Sequence, residues 1–337
     1  MPGFPRTWDS PHGRPSEKVP VLTRSSGNPL LPILRKQTAI ILAGGLATTL
    51  EDRGYDLNDD LWSARVLLED PGAISKVHHD FLVAGADCIT SATYQASIPG
   101  FKKRGLDLEQ ARAQLDVAVS LAVNARDDFW SQPENRKGRV KPLVAATVGP
   151  YGAFLADGSE YVGNYVINDK QLADFHRERW HILADGRADL LACETLPCLR
   201  EAAVLLELLD ETPDCWAWFS FTCRDGGCLC DGTPFTEAVE LCATHPRVAG
   251  IGVNCTAPEF ITPLMSVART VTDLPLVAYP NSGEVFDPAG KSWRTGSPGH
   301  DLCEEAPEWL SMGVAVIGGC CRVGPEAITN LRRTLLD

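Results

Sequence analysis

The fold class predicted for this 337-residue chain is α/β, a (β/α)8 TIM-type barrel formed as a single domain. Three observations carry that prediction. Short apolar runs alternate with longer amphipathic stretches eight times, which is the pattern of a parallel barrel wrapped in helices. Polar and glycine-rich residues collect where each apolar run ends, and barrel enzymes build their sites from those strand ends. No Gly-x-Gly-x-x-Gly follows the first run, which disfavours a doubly wound dinucleotide-binding sheet. The length exceeds that of a usual compact domain but is ordinary for one barrel.

The elements follow in order. Residues 1–37 hold Pro2, Pro5, Pro11, Pro15, Pro20, Pro29 and Pro32, which block helix and sheet alike, so this segment is expected to be a flexible extension. An organelle-targeting peptide would need an amphipathic helix that these prolines oppose. The barrel is expected over 38–337. Its strands are predicted at 39–45, 88–94, 143–150, 190–197, 216–223, 248–255, 276–281 and 315–321. Apolar residues recurring at three and four predict helices at 107–130, 169–185, 199–209, 235–244 and 258–271. The segment 283–301, with Trp293 and His300, is long for a barrel connection and is a candidate lid or rim.

Composition narrows the function. Hydrophobic residues make up 44% and charged residues 22%, enough for a full-sized core. A net charge of −13 argues against a nucleic-acid surface, which needs a basic stripe to replace counterions. Small molecules are the expected partners. No apolar run reaches the roughly 18–20 residues that span a bilayer, so no membrane association is expected. With no signal-peptide pattern, the twelve cysteines are read as reduced thiols in the cytoplasm.

Cys255, Cys320 and Cys321 each close a short apolar run and therefore sit at strand ends. Adjacent cysteines do not readily bridge each other, but with a third thiol they can close three corners of a tetrahedral Zn2+ site and leave the fourth open. Three thiolates give zinc a net negative charge, which suits holding a substrate thiol as an electron-rich thiolate. Hydrolytic zinc more often uses neutral histidines. Cys223, Cys228 and Cys230 form a competing cluster in a loop with no evident fourth ligand. Cys88, Cys193, Cys198, Cys215, Cys242 and Cys303 are read as packing residues.

Glu194 ends the fourth strand in an apolar setting, where a carboxylate needs a partner. A substrate ammonium or a rim arginine would serve, and both stay open. Asn254 is expected to orient a cysteine or the substrate, with a strand-end turn as the alternative. Glu194 and Asn254 are the candidate catalytic residues. The other strand-end residues, Gly44, Gly45, Thr93, Tyr94, Gln95, Tyr279 and Asn281, join Glu194 as candidate substrate contacts. Gly318-Gly319 before Pro325 and its helix also suits a phosphate cradle, but the cysteine pair that follows favours a metal. The seven histidines support no nucleophilic triad.

From about residue 40 to 336 the chain resembles the zinc-dependent homocysteine S-methyltransferases, in the branch using S-methylmethionine or S-adenosylmethionine. The resemblance rests on Gly-Val-Asn-Cys at 252–255 and Gly-Gly-Cys-Cys-Arg at 318–322. It is supported by the runs 57–63, 93–97, 148–153, 155–161, 193–195 and 279–284. It implies zinc on Cys255, Cys320 and Cys321, homocysteine sulfur as fourth ligand, Glu194 near the homocysteine amino group, and a sulfonium donor whose methyl goes to that sulfur. S-methylmethionine is favoured over S-adenosylmethionine, betaine is disfavoured, and selenocysteine is a further acceptor to consider. One departure stands out: the family pattern has Asp before the first glycine pair, and this chain has Ala43. That implies weakened substrate binding or turnover, and it motivates the rival reading of a catalytically silent zinc-binding homologue with an interaction or sensing role. A second rival is a phosphate-binding barrel that merely contains a cysteine pair.

Overall fold

The computed structural model describes residues 27–57, 63–283, 285–287, 292–294 and 300–337. Eight parallel strands form one sheet: β1 (Ile40–Ile41), β2 (Cys88–Thr90), β3 (Leu143–Val148), β4 (Leu190–Leu196), β5 (Ala217–Phe221), β6 (Val248–Asn254), β7 (Leu276–Tyr279) and, after a two-stranded antiparallel ribbon of β8 (Val285–Asp287) and β9 (Ser292–Arg294), β10 (Val314–Ile317). Their spatial order is β1-β10-β7-β6-β5-β4-β3-β2. The ring closes at Leu42 and Cys88, where the Ala43 amide donates to the Cys88 carbonyl at 2.9 Å. All eight expected strands are present. β1, β2, β3, β5 and β10 stop short of the glycine, polar or cysteine residues that had been included at their ends, whereas β4 keeps Glu194 and Thr195, β6 keeps Asn254 and β7 keeps Tyr279.

The helices are α1 (Leu31–Leu34), α2 (Leu46–Glu51), α3 (Ser63–Glu69), α4 (Pro71–Ala84), α5 (Ile98–Lys103), α6 (Leu108–Ser131), α7 (Tyr151–Leu155), α8 (Asp169–Ala184), α9 (Leu199–Asp210), α10 (Phe235–Ala243), α11 (Ile261–Val271), α12 (Leu302–Ser311) and α13 (Pro325–Leu336). Local chemistry starts the long ones. Asp107 with Gln110 and Asn168 with Gln171 form reciprocal capping boxes on α6 and α8, satisfying amides that have no partner within the helix. The five predicted helices agree with α6, α8, α9, α10 and α11, except that 258–260 form a separate 3-10 turn ahead of α11. The expected lid segment holds the ribbon of β8 and β9; the remainder of 284–299 lies outside the described residues.

Strand alternation divides the core in two. Ile40, Leu42, Cys88, Ala145, Leu190, Ala192, Trp218, Ala249, Val277, Tyr279 and Val316 fill the barrel. Their neighbours, such as Ile41, Ile89, Val144, Leu191, Phe219, Ile251 and Ala278, pack outward into the larger apolar cluster that includes the helices.

One boundary needs correction. Residues 28–37 were assigned to the flexible extension, yet Leu30 and Ile33 belong to the interior barrel cluster and α1 plugs its N-terminal end. Asn28 donates to the Ala249 carbonyl at 2.9 Å, and Gln37 donates to the fully buried Asp87 at 2.7 Å. Pro32 does not prevent the helix because it stands in the first turn, where no intrahelical N–H bond is lost. Residues 1–26 lie outside the described residues.

Candidate active site

The three thiols converge. Cys255 follows β6 directly, while Cys320 and Cys321 lie in the turn after β10. Glycines bring these backbones together. A Cβ on Gly252 would fall 1.7 Å from the Val277 carbonyl oxygen, and one on Gly44 would fall 2.0 Å from that of Val323. A Cβ on Gly45 would meet the Cys320 carbonyl oxygen at 2.6 Å. The expected substrate contacts Gly44 and Gly45 therefore seat the cysteine turn against the end of β1.

All three Sγ atoms lie within 4.8 Å of one another, and Cys255 and Cys321 are 3.7 Å apart. A tetrahedral ion with metal–sulfur bonds of about 2.3 Å requires sulfurs roughly 3.8 Å apart, so the spacing fits a soft divalent metal. It is far longer than a disulfide. Among the described residues this is the sole His, Cys, Asp or Glu group with such spacing, and Cys223, Cys228 and Cys230 do not form one. Hydrogen bonds from Cys320 and Cys321 hold the Cys255 thiol well below its ordinary value, and their own thiols are pushed up in return. Three sulfurs cannot share negative charge at this distance without a cation.

The backbone at the mouth is strained. Thr195, Cys255 and Arg322 have φ of 60°, 50° and 65°, each at a cost of about 1–2 kcal/mol for a side-chain-bearing residue. Asn254, fully buried, braces the first of them. Its Oδ1 accepts from the Thr195 amide and the Ser220 hydroxyl, both at 2.7 Å, and its Nδ2 donates to Thr195 Oγ1 at 2.7 Å and weakly to Cys320 Sγ at 3.9 Å. The amide is thus engaged with the wall and one thiol.

Glu194 stands half-buried inside the mouth. Burial, then the nearby Cys320, pushes its carboxyl up to about 8, against hydrogen bonds from Tyr279 and Thr147. Tyr279 donates to it at 3.0 Å and receives the Trp218 indole N–H at 3.2 Å. Tyr94 packs against Gly149, hydrogen-bonds Thr195 and lies within electrostatic reach of Cys255. The Asn281 amide donates to the Thr256 carbonyl at 3.1 Å, and its Oδ1 is buried without a partner among the described residues.

Two expected contacts bond to the protein itself. The Thr93 hydroxyl donates to the carbonyl of Thr147 in β3 at 2.7 Å, and Gln95 Nε2 donates to that of Ala153 in α7 at 3.1 Å, leaving Gln95 Oε1 buried without a partner among the described residues. Two residues were missed. Tyr161 reaches across from the loop between α7 and α8, its hydroxyl 3.4 Å from Cys255 Sγ, with Glu160 beside it. Only the 155–161 run signalled them, because the search followed strand ends and this loop lies beyond one. Ala43 is buried among apolar neighbours, and its carbonyl faces the Gly319 amide at 3.4 Å. Residues 58–62 and 284, which fall in two of the supporting runs, lie outside the described residues.

The model of one protein family, homocysteine S-methyltransferase, matches residues 40–335, nearly the whole barrel. The chain belongs to the homocysteine S-methyltransferase family. It is 45% identical to the homocysteine S-methyltransferase YbgG of Bacillus subtilis over 90% of this chain and 96% of that protein. It is 47% identical to the homocysteine S-methyltransferase of Escherichia coli, covering 91% and 99%. Among solved structures, the metallated form of the homocysteine methyltransferase MmuM from Escherichia coli superposes with a TM-score of 0.81 at 44% identity, covering 91% of this chain and 99% of that one. Among the described residues, no helix is long and apolar enough to cross a membrane.

Proposed function

We propose that this protein transfers the methyl group of a sulfonium donor, S-methylmethionine in preference to S-adenosylmethionine, to the thiol of homocysteine, giving methionine. The carrying observation is the convergence of Cys255, Cys320 and Cys321 at a spacing suited to one tetrahedral ion. The names of the relatives and the metallated MmuM structure support the same reading. Zn2+ is the metal that this all-sulfur set suits best, and when bound it would keep the acceptor sulfur deprotonated at neutral pH, where a free thiol is mostly protonated.

The chain's own residues do the rest. Glu194 would hold the homocysteine ammonium, its carboxylate steadied by Tyr279. Tyr161 would donate to Cys255 and limit access of water from above. Tyr94 and Asn281 would line the amino-acid end of the site. The acceptor sulfur forms a bond to the methyl carbon as the carbon–sulfonium bond breaks, and that electron pair leaves with a neutral thioether. The second product is another methionine or S-adenosylhomocysteine. Free thiols at all twelve cysteines suit a reducing compartment, and we place the protein in the cytoplasm.

The test is methionine formation by purified, metal-loaded protein given homocysteine and each donor in turn, with zinc counted per chain. One zinc per chain and turnover with S-methylmethionine are expected. Stoichiometric zinc without turnover on any sulfonium donor would favour the silent-homologue reading.

A further inference from the structure

The loop at 156–168 leaves the β3 side of the barrel yet brings Tyr161 to Cys255, which follows β6, three places round the ring. It therefore crosses above the thiols. The crossing is firmly anchored. The amide of Tyr151 at the start of α7 donates to Glu201 at 2.6 Å, Glu201 meets His176 at 2.7 Å, and Arg179 meets His176 at 2.8 Å. Glu201, His176 and Arg179 are all buried. The loop then folds back so tightly that a Cβ on Gly152 would lie 2.3 Å from the Glu160 amide nitrogen. Such a segment holds its side chains in place.

Glu160 is the informative one. Its Oε2 is buried and accepts no hydrogen bond among the described residues, and no described cation pairs with it. Burial pushes its carboxyl up and the neighbouring Asp157 adds to this, while the backbone amides of Glu160 and Gly158 offset the rise only in part and supply no positive charge. A buried acceptor without a partner is costly, and a cation supplied from outside removes that cost. Unlike an amide, a carboxylate has no flipped assignment in which it would be a donor when ionised. Tyr94 lies within electrostatic reach of both carboxylates: burial chiefly raises its phenol, and Glu160 adds more to that rise than Glu194 does. Glu194 belongs to a barrel strand at the level of the thiols, whereas Glu160 belongs to the loop above them.

We propose that Glu160 receives the positive charge of the methyl donor, making it the residue that selects a sulfonium amino acid over its neutral thioether, while Glu194 serves the acceptor. This rests on the function proposed above. As the methyl–sulfur bond breaks, its electron pair stays on the donor sulfur, which becomes neutral. Glu160 thus attracts donor more than product and favours product release.

The experiment compares wild type with Glu160→Gln and Glu160→Asp, each checked for zinc content and thermal melting. In Glu160→Gln, the KM for S-methylmethionine is expected to rise about ten- to a hundredfold, in keeping with loss of a buried charge partner. The KM for homocysteine should stay within about twofold. Wild type should bind S-methylmethionine more tightly than methionine by calorimetry, and the variant should lose that preference. If Glu160→Gln does not fold, Glu160→Asp carries the test, with a smaller donor-specific rise. An inactive wild type defeats the proposed function. An active wild type whose variants keep the donor KM, or lose homocysteine affinity instead, overturns the role of Glu160.

Discussion

Asn254→Ala is the most informative perturbation of the wall. The side chain makes three hydrogen bonds of 2.7 Å with buried groups, the Thr195 amide, the Thr195 hydroxyl and the Ser220 hydroxyl. At about 1 kcal/mol net per bond, and more where a buried donor loses its partner, removal should cost roughly 3–5 kcal/mol. Thr195, held at φ 60°, is then free to relax, and the weak support of Cys320 is lost. Outer groups that orient metal ligands typically change metal affinity by about 10–100-fold. Guanidinium unfolding of the metal-free protein measures the first effect, and competition with a colorimetric zinc chelator measures the second. Asn254→Asp is the control: it retains the acceptor toward Thr195 and Ser220 but loses both donated bonds, so its stability should lie between the two. A loss below about 1 kcal/mol together with unchanged zinc affinity would refute the bracing role.

Four further substitutions have expected outcomes. Glu194→Gln should raise the homocysteine KM at least about tenfold, the scale of a lost charged partner. Because the folded protein keeps a proton on Glu194 up to about 8 while the unfolded chain releases it near 4.5, metal-free stability should fall as pH rises between those values, and the same substitution should flatten that slope. Tyr161→Phe removes one hydrogen bond to Cys255 and should weaken zinc retention about fivefold, seen by chelator competition, with stability little changed. Ala43→Asp should raise kcat/KM for homocysteine if the missing carboxylate limits turnover, and equal values in the two proteins would dismiss that idea. Leu30→Ala, in the plug of the barrel floor, should cost about 2–4 kcal/mol in chemical unfolding while leaving the donor and acceptor KM values unchanged.

What the amino-acid order determined by itself was the barrel, its eight strands and the three thiols at their ends. Those features are local: apolar periodicity separates strand from helix, and cysteine is a metal ligand wherever its thiol is presented. Direction beyond a strand's last residue is not local. The period-two alternation that points side chains inward fails once the backbone turns to positive φ at Thr195 and Cys255, so Asn254, Thr93 and Gln95 needed their hydrogen bonds to be assigned. The same holds for loops. Tyr161 reaches Cys255, with Glu160 beside it, on a segment whose start at α7 is anchored by buried Glu201, His176 and Arg179, and Leu30 enters the barrel where Asp87 and Ala249 hold its flanks. Contacts between residues so distant in sequence arise from packing, and packing is decided by the folded chain as a whole.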